Sequence, residues 1–283
     1  MTFDISVIIP VYNDQDRVGH VLERLMRQTY PKDRYEVIIV DNGSTDGSPG
    51  IVSDFANSTE GHIQLLFQTG VQGSYASRNQ GIRGARGKLL AFTDADCIPA
   101  ADWLEQGLAA LYREKARCGG GHIQLFARGE KPNVYEHFDT TRKMNQRDYI
   151  KNAGFAATAN FFAELFSLYG EFRNDLISGG DYEFGRRLTN GGENLIYIPD
   201  AVIYHPARTT FKEIWKKSKR VAEGQKELAA LNLLAHGRLS WQRALPTLAG
   251  ARERNLSLVQ RLHYICLANV IRYTNLWVRL HRT

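Results

Sequence analysis

The sequence predicts an α/β fold: a Rossmann-like, mainly parallel sheet with helices on both faces, followed by a helical C-terminal extension. Three observations predict it. Short apolar runs of strand length alternate with helical patterns through the first 120 residues. Those runs are continuously apolar, the mark of strands buried on both faces. Beyond residue 206 the pattern turns helical and basic.

The first strand is "ISVIIPV" at 5–11. After it Val18, Val21, Leu22, Leu25 and Met26 fall on one helical face, and Pro31 follows the helix. "YEVIIV" (35–40) is the second strand, and the turn cluster "DNGSTDGS" (41–48) follows it. Pro49 suits the first turn of a helix carrying Ile51, Val52 and Phe55. "HIQLLFQ" (62–68) and "KLLAFT" (88–93) are the third and fourth strands, with a helical stretch near 74–86 between them. "GGGHIQLFA" reads as a strand, 130–155 has no clear period, and 160–170 looks partly helical. A short helix is expected between the glycine pairs of 178–192, and a strand over 194–206 ending at His205. Residues 211–235 read as a basic helix. In 259–280, Val259, Leu262, Cys266, Val270, Tyr273, Trp277 and Leu280 step by three or four, as on an amphipathic helix.

At 283 residues, 43% hydrophobic and 23% charged, the chain has the composition of one large globular domain or one domain with an extension. Cys97, Cys118 and Cys266 are odd in number and form no CxxC pair, which argues against a disulfide framework and for a reducing compartment. The opening residues carry neither a basic n-region nor the apolar run of a signal peptide, so a cytoplasmic location is expected. No window has the ~18 uninterrupted apolar residues of a spanning helix. The net charge of +6 is unevenly spread: residues 1–205 carry −5 and residues 206–283 carry +11. This split divides the chain into a body, 1–206, and a basic helical extension, 207–283. It also suggests an anionic partner.

In such sheets ligands bind beyond the carboxyl ends of the strands. Those ends deliver "PVYND" (10–14), "DNGSTDGS" (41–48) and "DADC" (94–97) to one edge. In an extended segment Asp94 and Asp96 point to opposite sides, so one site using both needs a turn. Paired carboxylates at a strand end suit Mg²⁺ or Mn²⁺, and they equally suit a solvated loop or a helix N-cap before "AADWLEQ". Asp41, followed by small hydroxyl and glycine residues, fits either a base or ribose contact or a plain Asx-type turn. The first loop lacks both GxGxxG and GxxxxGK[ST], which disfavours a dinucleotide cofactor and a Walker-type site.

Taken together, "VIIPVYND", "VIIVDNGSTDGS", "SRNQGIRGARGKLLAFTDADC", "GGDYEFGRRLTNGG" and "AVIYHP" occur in an order that resembles family 2 glycosyltransferases of the GT-A fold, over residues 4–206. The resemblance implies an inverting transfer of a sugar from a nucleotide-sugar donor, of the UDP-sugar kind, to a hydroxyl of a glycan or lipid-linked acceptor, in polysaccharide or glycoconjugate synthesis. Asp94-Ala95-Asp96 looks like the family's DxD motif, with Asp94 near the ribose or sugar and Asp96 on a divalent Mn²⁺ or Mg²⁺. His205 matches a second metal contact. Pro10, Val11, Tyr12, Asn13, Asp41 and Ser44 match the loops around the base and ribose, and Arg78 and Asn79 match the segment that faces the donor. Asp181 matches the catalytic carboxylate. The usual glycine-glutamate-aspartate is Gly179-Gly180-Asp181 here, so the preceding glutamate is missing, and Glu183 is the second candidate. Asp181 also suits a helix N-cap.

Two other classes compete with this reading. A sugar-nucleotide-binding protein without catalysis would not need Asp94, Asp96, Asp181 and His205 intact. A DxD phosphotransferase should carry its carboxylates after the first strand, whereas here they follow the fourth. In the basic extension, "FKEIWKKSKR" and the 259–280 stripe are expected either to pack as core, against the body or a second subunit, or to touch the inner face of a membrane. No nucleic-acid recognition motif accompanies them.

Overall fold

The structure, a computed structural model, describes residues 3–59, 61–142, 144–164, 166–234, 245–248 and 256–280. Eight strands and ten helices are found among them. The strands are β1 (Ile5–Val11), β2 (Tyr35–Asp41), β3 (Ile63–Phe67), β4 (Leu89–Phe92), β5 (Ile98–Pro99), β6 (Cys118–Phe126), β7 (Phe161–Ala163) and β8 (Leu195–Pro206). The helices are α1 (Gln15–Met26), α2 (Ser48–Ser58), α3 (Ser74–Gly84), α4 (Trp103–Glu114), α5 (Val134–Thr141), α6 (Gln146–Ala153), α7 (Phe166–Tyr169), α8 (Gly180–Asn190), α9 (Phe211–Ala230) and α10 (Leu258–Leu280).

The chain forms two compact units. The first comprises Met1–Gln124, Met144–Asp175 and Gly180–His205; the second comprises Leu125–Lys143, Leu176–Gly179 and Pro206–Thr283. The second unit therefore begins its last segment where the charge changes sign, and it also draws in two earlier segments.

The sheet order is β3-β2-β1-β4-β7-β6-β8-β5. The first four strands pair in parallel, as their continuous apolar runs require. The other half is antiparallel where β7 joins β4, β6 joins β7 and β5 joins β8. The pleat of β1 divides the core. Ile5, Val7 and Ile9 pack with Val18, Val21, Leu22 and Leu25 of α1 on one face. Ile8 packs with Tyr75, Leu90 and Phe92 on the other.

Asn160, fully buried, ties three elements of this unit together. Its Oδ1 accepts from Trp103 Nε1 of α4 at 2.9 Å. Its Nδ2 donates to the carbonyls of His122 on β6 and Ala201 on β8, each at 2.8 Å.

In the second unit, Phe138 of α5, Ile214 of α9 and Tyr264, Leu267, Ala268 and Ile271 of α10 form one core. This packing explains why a segment before the charge boundary belongs with the extension. Beside it Asp139 is held by Arg208 at 2.9 Å and Lys217 at 3.6 Å. Burial lowers the Lys217 amine to about 8; the Arg208 charge adds to this and Asp139 opposes it. The α10 stripe expected from the sequence does not form this core. Val259, Leu262, Cys266, Val270, Tyr273 and Trp277 are all exposed. The buried face lies on intervening positions, and the side chain of Leu280 lies outside the described residues.

Asn160→Ala should strand a buried indole N–H and two buried carbonyls. A loss of about 3 kcal/mol of unfolding free energy is expected, read as an earlier midpoint in a guanidinium melt.

Candidate functional site

Because β1, β2 and β4 run parallel, their carboxyl ends open at one sheet edge. Register places Pro10 opposite Val40 and Val11 opposite Asp41. Beyond them the loops after β1 and β2 are laced together. Asn13 N donates to Ser44 Oγ at 2.9 Å, and Thr45 N donates to Asn13 Oδ1 at 2.8 Å. Asn13 takes φ +48°, a conformation asparagine tolerates better than most residues. Tyr12 stands out into solvent, 54% exposed. Asp41 is buried. Its Oδ2 accepts from Gly43 N and Ser44 N, both at 3.0 Å. Its Oδ1 has no partner among the described residues.

The turn that two neighbouring aspartates require is present. Cys97 N donates to the Asp94 carbonyl at 3.1 Å, closing a turn over Ala95 and Asp96. Ala95 is buried and anchors it. Arg78, on α3 and only 3% exposed, donates through Nη2 to Asp94 Oδ1 at 2.5 Å. Its Nε is a second buried polar atom without a partner among the described residues. Asn79, beside it, turns elsewhere: its amide donates to the Phe172 carbonyl at 2.8 Å and accepts from Phe172 N at 3.0 Å.

Asp96 lies 3.9 Å from His205 Nε2, at the end of β8, and 3.6 Å from Arg17 Nη1. Donor atoms of Asp94, Asp96, Cys97 and His205 lie within 4.8 Å of one another. This set fits a divalent cation: two carboxylates and an imidazole suit Mn²⁺ or Mg²⁺. Cys97 joins the set by adjoining Asp96, a place that no sequence motif marks. It is buried, and burial pushes its thiol well above the usual range, with the Asp96 and Asp94 charges adding. Its sulfur is a soft ligand and a poor partner for a hard cation.

Asp181 and Glu183 part company. Both lie in the first turn of α8, but residues two apart on a helix face different ways. Glu183 is buried and held by Arg187 Nε at 2.7 Å and Nη2 at 2.9 Å. Asp181 faces Tyr75, whose hydroxyl donates to Oδ1 at 3.3 Å. Asp181 is half-buried. Burial raises its carboxyl above the usual range, while the Tyr182 N–H, the Arg78 charge and the Tyr75 hydroxyl pull it back. The glycine at 180 also has a local cause: a Cβ there would meet the Tyr75 ring at 2.9 Å.

The family model described as "Glycosyl transferase family 2" matches residues 6–168. Glycosyltransferase AglE of Haloferax volcanii is 37% identical over 233 residues, 82% of this chain and 76% of that protein. A Methanococcus voltae enzyme, dolichyl N-acetyl-alpha-D-glucosaminyl phosphate 3-beta-D-2,3-diacetamido-2,3-dideoxy-beta-D-glucuronosyltransferase, is 24% identical over 76% of this chain and 70% of its own length. Among solved structures, a Pyrobaculum calidifontis mannosyltransferase in complex with GDP-Man and Mn²⁺ superposes with a TM-score of 0.63 at 19% identity, covering 99% of this chain and 72% of that one. S. aureus TarS 1-349 in complex with UDP-GlcNAc does so with a TM-score of 0.57 at 16% identity, covering 99% and 93%. Both likenesses are of fold.

Asn79→Ala should cost about 2 kcal/mol of stability, because it frees two buried backbone groups of Phe172. Thermal melting checks this.

Proposed function

The chain belongs to glycosyl transferase family 2 and is a glycosyltransferase of the GT-A fold, and from that premise we propose that it transfers a sugar with inversion from a UDP-sugar to a hydroxyl of a lipid-linked glycan, with Asp181 as general base. The observation that carries this reading is the half-buried Asp181 carboxyl, raised by burial and set against the Tyr75 hydroxyl, in the same unit as the Asp94–Asp96 turn.

The acceptor hydroxyl gives its proton to Asp181 as its oxygen attacks the anomeric carbon. The bond from that carbon to the diphosphate breaks as the new C–O bond forms, and the electron pair leaves with the diphosphate. Attack opposite the leaving group inverts the configuration. Glu183 is committed to Arg187, which leaves Asp181 as the base. Asp96 and His205 would hold Mn²⁺ or Mg²⁺, with Asp94 near the donor, and the ion would supply Lewis-acid neutralisation of the departing diphosphate. Arg78, anchored on Asp94, adds a fixed positive charge behind that carboxylate.

Asp41 supports the choice of UDP. One of its oxygens is taken by two backbone N–H groups, and the other is open. Uracil offers one ring N–H to an acceptor at that edge, whereas guanine offers an N–H and an amino group together. Pro10, Val11, Tyr12, Asn13 and Ser44 complete the base and ribose side. Asn79 serves it by pinning the chain at Phe172. The lipid-linked acceptor is supported by the dolichyl phosphate named for the Methanococcus relative.

Calorimetry should give tighter binding of UDP than of GDP, and the reverse order would remove the Asp41 argument. Asp96→Ala should make donor binding indifferent to Mn²⁺. Asp181→Asn should keep donor binding and lower transfer by roughly 10²–10⁴-fold; near wild-type turnover would reject Asp181 as base.

Tyr75→Phe should move the acidic limb of the kcat/KM profile to higher pH. The Tyr75 hydroxyl stabilises the charged carboxylate, so its loss raises the Asp181 pKa further. The base is inactive when protonated, so activity fails at a higher pH than in the wild type. An unmoved limb would separate Tyr75 from the base.

A further inference from the structure

Among the described residues, helix α10 is apolar on two sides: one enters a core and the other is exposed. Tyr264, Leu267 and Ile271 enter the core of the second unit. Val259 (62%), Leu262 (55%), Val270 (45%), Tyr273 (41%) and Trp277 (57%) are exposed. Between α9 and α10 opens a groove of about 870 Å³, lined among others by Trp215, Lys219, Ile265, Val270, Tyr273 and Trp277. Exposed apolar surface of this continuity on a soluble unit marks an interaction site.

Cations share α9 with this groove. Lys212, Lys216 and Arg220 of α9 are exposed. Lys219 lies 5.7 Å from the centre of the Trp215 ring. Lys217 is set apart, because it faces Asp139 within the unit. We propose that α9 and α10 form an interfacial docking surface for an anionic bilayer, with Trp215, Tyr273 and Trp277 at the headgroup level and the groove receiving hydrocarbon.

Charge selects this occupant. Lys212, Lys216 and Arg220 are exposed on α9, so a second copy docked along that helix would bring like charge against like. A neutral apolar ligand leaves Lys212, Lys216 and Arg220 without a role. An anionic bilayer presents hydrocarbon and negative headgroups together, which matches an apolar stripe bordered by cations and aromatic rings. Contact along the surface suits the helices: none among the described residues is long and apolar enough to cross a membrane. The proposal does not depend on the donor or base assignments.

Cys266 provides the probe. It is exposed and lines the groove, whereas Cys97 and Cys118 are buried. The full chain, labelled at Cys266 with an environment-sensitive fluorophore, would be mixed with phosphatidylcholine vesicles with and without phosphatidylglycerol. A blue shift and co-sedimentation only with phosphatidylglycerol, both weakened by salt, are expected. The combined Lys212→Gln, Lys216→Gln and Arg220→Gln variant should bind about a hundredfold more weakly. Because those side chains are exposed, an unchanged circular dichroism spectrum is the control for folding. Trp277→Ser should reduce the blue shift even at low salt. Absence of binding to anionic vesicles at low salt would overturn the proposal, as would salt-insensitive self-association of the chain that Trp277→Ser abolishes.

Discussion

A guanidinium excluded from water must have a carboxylate, and in this chain that requirement organises the site. Arg78 is 3% exposed and donates to Asp94 at 2.5 Å. Removing one partner of such a pair leaves a buried charge uncompensated, which is among the costlier single changes a fold can suffer. The pair therefore joins α3 to the turn after β4. Its reach extends further: Arg78 lies 5.8 Å from the Tyr75 ring centre, and its charge lowers the Asp181 carboxyl. One residue of α3 thus couples the Asp94–Asp96 turn electrostatically to the start of α8.

The loops around this pair are held before any ligand arrives. Asn13, Ser44 and Thr45 exchange hydrogen bonds between two different strand ends, and Asp14 N donates to Ser48 Oγ at 2.9 Å. Gly73 N donates to Asn42 Oδ1 at 3.1 Å, tying the start of α3 to the same cluster. Fixed loops lose little freedom when a ligand binds, so more of the contact energy is available as affinity. Three buried atoms at this edge, Asp41 Oδ1, Arg78 Nε and Thr93 Oγ1, have no hydrogen-bond partner among the described residues.

Much of this was legible in the sequence because local signals agreed. Continuous apolar runs gave the four parallel strands, and the residues after them gave the site edge. That one site using both Asp94 and Asp96 needs a turn followed from strand geometry. Other parts left no periodic trace. β7 is only Phe161–Ala163, too short to show a period, yet it lies between β4 and β6. The start of α5 had a readable signal: Asn133 and Glu136 form a capping box, visible as an asparagine followed three residues later by a glutamate. Asn79 could not be separated from Arg78 by sequence position, because one is satisfied by the Phe172 backbone and the other by a distant carboxylate. On α10, periodicity identified an apolar face correctly but could not reveal that a second apolar face, on another side of the helix, would take the core.

The close approach of Tyr75 to Gly180 makes the two positions trade volume. A side chain at 180 would begin where the aromatic ring now lies, at 2.9 Å. Placing a glutamate at 180 is therefore a question of order as well as of identity. Introduced alone, its Cβ meets the ring; introduced after position 75 has been reduced, that contact is gone. The two sites form an epistatic pair, and the effect measured at either one depends on which residue the other already holds.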